Sequence, residues 1–191
     1  TTTTQQVSIA NETAVSTTSS GTSVSQATAA ASSSQNQSKY EANVASVAGK
    51  IDNRVIAAYQ QLGFKLVVDP SVNYSGYFDA RSRSITMKQI DDSVYHELGH
   101  FLAFIAGNVD KTASFQSIFV AEKANVTAFN KAYVTQNASE YFAESVKDYI
   151  LNNASLKNTR PQTYAAVQNA LNQITDAQIA KIQKIYGAFW N

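Results

Sequence analysis

Hydrophobic positions along this chain change period several times, and each change marks an element. Apolar residues at Tyr40, Val44, Val47, Ile51, Val55, Tyr59 and Leu62 recur every three or four positions, which puts one stripe on a helix. Gly63 follows, where a helix end favours a left-handed residue. Phe64–Val68 then reads as a short strand ended by Asp69-Pro70. Two further runs, 76–80 and 84–88, flank Arg81-Ser82-Arg83 as a hairpin, with Ile85 and Met87 on one face. Asp91, Asp92 and Ser93 supply helix-starting chemistry for a helix to about Ala106, with Gly107 as its stop. More helices are predicted near 112–123, 138–152, 162–173 and 176–189. The last opens on Thr175-Asp-Ala-Gln178, a capping-box pattern. A β region early and a helical region late predict an α+β fold.

The first 38 residues lack this patterning. They consist mainly of Thr, Ser, Ala and Gln, with Glu12 as their one acidic residue and no aromatic. Such a segment buries too little apolar area to offset its ordering entropy. The expected organisation is a disordered Ser/Thr-rich tail or linker over 1–38 and one domain over 39–191.

Composition narrows the function classes. The chain has no cysteine, so a metal must be held by His, Asp or Glu. Its 15 basic and 14 acidic residues are interspersed, which argues against nucleic acid as a partner. No apolar run approaches the ~18 residues of a membrane span, so no membrane association is expected. With no initial methionine and no charged-then-apolar leader, the expectation is a processed, secreted form. A monomer is expected.

The chemistry is concentrated in Val94-Tyr95-His96-Glu97-Leu98-Gly99-His100. Two histidines four residues apart lie on one helix face, one turn apart, and can bind one zinc ion together. Glu97, one position on, sits beside the metal rather than on it, where a general base belongs. The chain has only two histidines, and both are in this motif. A third protein ligand must therefore be a carboxylate. Glu140 and Glu144, one turn apart on an otherwise apolar helix, suggest one ligand and one supporting partner. The competing explanation for Glu140 is a first-turn glutamate complementing the helix dipole, with Asn137 as the cap.

The stretch from about Ser93 to Leu171 resembles the catalytic domain of anthrax lethal factor, and more so the related secreted Pro-Pro endopeptidases of Gram-positive bacteria. The residues that carry the likeness are His96-Glu-Leu-Gly-His100, Thr112-Ala-Ser-Phe-Gln-Ser-Ile-Phe119, Tyr133, Glu140-Tyr-Phe-Ala-Glu144-Ser and Pro161-Gln-Thr-Tyr164. The resemblance implies a zincin-like domain with His96, His100 and Glu140 as zinc ligands. It makes Glu144 their support and points Tyr133, seven residues before the ligand, at the reaction centre. The expected activity is a secreted zinc endopeptidase acting on extended, proline-rich protein segments. The substrate would lie along a hairpin edge at 76–80 or 84–88 by strand addition. The alternative from another class is a zinc-containing peptide-binding module or surface interaction domain without proteolytic activity.

Overall fold

The computed structural model describes residues 38–190. All but the last residue of the predicted tail, 1–38, lies outside the described residues. The architecture is α+β, a small four-stranded sheet followed by a mainly helical part.

The first apolar stripe does not form one continuous helix. It breaks into strand β1 (Tyr40–Ala42), a single turn α1 (Val44–Val47) and helix α2 (Asn53–Gln61). The breaks come from side chains that compete with helix propagation. Asn43 accepts from the Ala45 amide and starts α1, and Asp52 accepts from the Arg54 amide and starts α2. The apolar residues still share one core, because Val44, Ile51, Val55 and Tyr59 are all buried.

Strands β2 (Lys65–Val68), β3 (Gly76–Asp79) and β4 (Ser84–Met87) complete the sheet in the order β1-β2-β4-β3. The hairpin forms as read: β3 and β4 pair antiparallel, with Phe78 opposite Ile85. β4 also pairs parallel with β2, which makes it an interior strand. A peptide cannot add to 84–88, since both sides of that strand are taken. Only β3 has an open side on this flank of the sheet. Ile85 and Met87 do share the buried face, together with Leu66 and Val68 of β2.

Helix α3 (Ser93–Ile105) is the centre of the domain. Apart from Ser93 and His100, every one of its residues is buried. A helix apolar on all sides needs cover on all sides. β3 covers one flank and α6 (Ala138–Leu151) another, with α8 (Pro161–Asn172) and α9 (Asp176–Tyr186) completing the shell. It ends at Gly107, whose φ of 84° is the left-handed stop the sequence suggested. Helices α4 (Ala113–Glu122), α6, α8 and α9 lie close to their predicted spans. Two short helices, α5 (Lys131–Val134) and α7 (Asn153–Thr159), were not expected from periodicity.

An aromatic cluster ties sheet to helices. Phe64 meets Phe101 with ring centroids 4.9 Å apart and Trp190 at 5.9 Å, and Phe78 meets Phe104 at 6.1 Å. Such pairs contribute ~0.5–1.5 kcal/mol each beyond their burial. Trp190 also donates its indole N–H to the Ala80 carbonyl at 2.9 Å, so the end of the chain fastens the hairpin turn. Buried Glu122 accepts the amides of Gln162 and Thr163 and the Thr163 hydroxyl, which satisfies the start of α8 where Pro161 opens the helix.

Candidate metal centre

Three elements converge on one face of α3. The two histidines come from α3 itself, Glu140 and Glu144 from α6, and Tyr133 from α5. α3 and α6 make the most extensive helix contact in the domain. The crossing point is Gly99 against Ala143. A Cβ on Gly99 would lie 2.7 Å from both the Cα and the carbonyl oxygen of Ala143. Glycine therefore allows an approach that any side chain would block. The small pair sits between the chemistry on both helices: Glu97 and His100 flank Gly99, and Glu140 and Glu144 flank Ala143.

The approach brings one ligand atom each from His96, His100 and Glu140 to within 4.8 Å of one another. The Glu140 Oε2 atom is 3.1 Å from His96 Nε2 and 3.7 Å from His100 Nε2. Metal–ligand bonds of about 2.0–2.1 Å arranged as a tetrahedron put neighbouring ligand atoms about 3.3 Å apart. The two measured separations bracket that value, and two imidazoles with one carboxylate are a donor set zinc accepts. The site residues fit a zinc ion. Glu140 also occupies the first turn of α6, where its amide donates to Asn137 Oδ1 at 2.9 Å. Capping and convergence therefore coexist in this one residue.

Glu144 lies behind the group. Its Oε2 is 2.9 Å from His96 Nδ1, and its Oε1 takes Lys147 Nζ at 3.3 Å. A carboxylate on Nδ1 fixes the ring and leaves Nε2 turned toward Glu140 and His100. Lys147 had no signal in the sequence beyond its place one turn after Glu144. Phe78 of β3 stacks on the His100 ring at 6.5 Å between centroids.

The electrostatics follow from this crowding. Burial disfavours a charged His96, but the hydrogen bonds of Glu140 and Glu144 outweigh it and raise its pKa to about 9. Burial alone would raise Glu140, yet His100 and His96 hold its carboxyl far below the usual carboxylate range. Glu144 is also lowered: burial opposes its charge, and His96 and Lys147 outweigh that. Glu97 goes the other way. It is 7% exposed, and burial pushes its carboxyl up against the pull of the two histidines. Tyr133, with its ring 6.5 Å from His96, is half-exposed. Burial of its hydroxyl and the charge of Glu140 raise it to about 12.

A cleft of about 350 Å³ opens over His96 and Glu97, walled by Tyr74, Gly76, Tyr133 and Lys147. Four of the six residues singled out from the sequence, His96, Glu97, Tyr133 and Glu144, line this cleft, and His100 and Glu140 meet His96 through their ligand atoms. A family model described as anthrax toxin lethal factor, N- and C-terminal domain, matches residues 78–170, from β3 to near the end of α8. Over these residues, just under half of the chain, the sequence is similar to that family. The match includes every residue of the metal group together with Glu97, Tyr133 and Glu144. No curated protein matches the chain. That similarity is consistent with a metallopeptidase, and His96, His100 and Glu140 could hold a metal ion. Among the described residues no helix is long and apolar enough to cross a membrane.

Proposed function

We propose that the protein is a secreted zinc endopeptidase that hydrolyses extended protein segments outside the cell. The reading rests on one observation: three side chains that could hold a metal converge beside the buried Glu97 carboxylate, and His96 and Glu97 line an open cleft. His96, His100 and Glu140 would hold the zinc, which polarises the substrate carbonyl and lowers the pKa of a water toward ~7. Glu97 accepts the proton from that water and later passes it to the leaving amine. Its raised pKa suits both transfers, because a base nearer neutrality can also act as an acid. The Tyr133 hydroxyl donates to the oxyanion as it forms, a contribution typically worth ~3 kcal/mol. Glu144 keeps His96 in the tautomer that presents Nε2.

The open side of β3 offers an extended peptide a strand partner, with backbone bonds supplying affinity and side-chain pockets supplying choice. A preference for proline-rich segments is carried by the sequence resemblance to the Pro-Pro endopeptidases. An unbiased peptide library, read by mass spectrometry with and without a chelator, tests activity and preference together. With an active parent, Glu97→Ala should retain zinc and lose nearly all turnover. Glu140→Ala should lose zinc, and Tyr133→Phe should retain zinc and cleave about a hundredfold more slowly. Cleavage by Glu97→Ala at the parental rate would refute the base assignment.

A further inference from the structure

Glu97 is not held by α3 alone. The strand across the cleft from it, β3, approaches so closely that one residue has no room for a side chain. A Cβ built on Gly76 would lie 2.7 Å from Glu97 Cγ, 2.7 Å from Oε1 and 2.9 Å from the carboxyl carbon. Side-chain carbons do not approach this closely, and all three nearest atoms belong to Glu97. Residues two apart on a strand share a face, so the missing side chain would project from the same side as the Phe78 ring, the side that packs against α3.

Backbone conformation does not explain the glycine. Gly76 is absent from the glycines with positive φ, which are Gly63 and Gly107. It forms a regular strand pair with Met87, where β-branched and aromatic residues ordinarily do better. A glycine in mid-strand often marks the close approach of something else. Here that partner is the buried carboxylate of Glu97.

We propose that Gly76 is a positioning residue for Glu97: its missing side chain lets β3 close on the carboxylate and seat it in the cleft. The proposal rests on the endopeptidase reading for its kinetic readout, while its structural readout does not. It makes the strand that would receive the substrate part of the support of the base. Substrate placement and base placement then depend on the same strand.

The test compares the parent with Gly76→Ala, Glu97→Ala and the double variant, all zinc-loaded, on one cleaved peptide. Misplacing a catalytic group by ~1 Å costs about a hundredfold. Gly76→Ala is therefore expected to keep its zinc and its KM while kcat falls ten- to a hundredfold. The double variant is expected to be no slower than Glu97→Ala and to bind the uncut peptide equally well. A parental kcat in Gly76→Ala, or a loss confined to KM, overturns the proposal. So does weaker peptide binding by the double variant than by Glu97→Ala alone. If Gly76→Ala melts lower than the parent, Glu97→Ala should restore its melting temperature, since the clash is with that side chain. A deficit that persists in the double variant overturns the proposal. A parent that cleaves nothing refutes the endopeptidase reading instead, and the melting comparison still decides the role of Gly76.

Discussion

Replacing Gly99 with alanine asks whether the spacing of α3 and α6 builds the metal group. The added methyl would lie 2.7 Å from two backbone atoms of Ala143, and ordinary contact begins near 3.4 Å, so the helices must part by about 0.7 Å. Backbone cannot swing aside as a side-chain tip can. Over-packing of this kind costs ~1–3 kcal/mol. Alanine recovers up to about 1 kcal/mol through its better helix propensity. The melting temperature should therefore fall by only a few degrees, since about 1 kcal/mol shifts a domain of this size by ~2–4 °C. The metal group is the more sensitive reporter. Zinc sites tolerate about ±0.2 Å in bond length, and a 0.7 Å retreat of Glu140 from the imidazoles exceeds that severalfold. Zinc affinity, measured by competition with a chromogenic chelator, should fall at least tenfold, about 1.4 kcal/mol. Gly49→Ala is the matching control, since its methyl would meet only the Ala45 carbonyl at 3.4 Å. Parental zinc affinity in Gly99→Ala would refute the claim that this crossing sets the donor separations.

Two further predictions concern the shell behind the metal. Glu144→Gln keeps an oxygen near His96 Nδ1 but removes the charge, and Glu144→Ala removes both; zinc affinity should fall about tenfold and up to about a hundredfold respectively, by the same competition assay. The pH dependence has a definite sign. The folded pKa of His96 is about 9, above its ordinary 6.5, so in the metal-free protein its pairing stabilises the fold fully below pH 6.5 and is lost as pH rises through 9. Zinc needs the neutral ring, so apparent affinity should climb about tenfold per pH unit from 7 to 9 and then level off, as isothermal titration in two buffers would show. A flat profile would count against the ion pairing of His96 with Glu140 and Glu144.

Long periodic segments were legible in the sequence, and short ones were not. α3, α6, α8 and α9 each repeat their apolar spacing over three turns or more, so the pattern exceeds local noise. α5 and α7 are too short for that, and β1 is a three-residue strand that forms only because β2 offers it an antiparallel partner. The first stripe looked like one helix because apolar spacing records which residues are buried. It does not record where the backbone turns, and Asn43 and Asp52 decided that. The histidine pair was legible because helical geometry alone brings positions four apart together. Spacing left open which of Glu140 and Glu144 faces the imidazole Nε2 atoms, since that depends on how α6 crosses α3. Gly76 and Gly99 carried no signal, because what makes them matter is an atom from another element.

The borders of the lethal-factor-like match do not coincide with what must fold together. Residues 78–170 hold every donor at the metal group, yet β4 borrows half its pairing from β2 at 65–68, and the hairpin turn is fastened by Trp190. Cutting the chain at those borders would strip one side of the sheet of its hydrogen bonds and leave Phe78, Phe101 and Phe104 facing water. Recombinant versions intended for crystals or screening should begin before Tyr40 and run past Trp190, although neither residue belongs to the metal group.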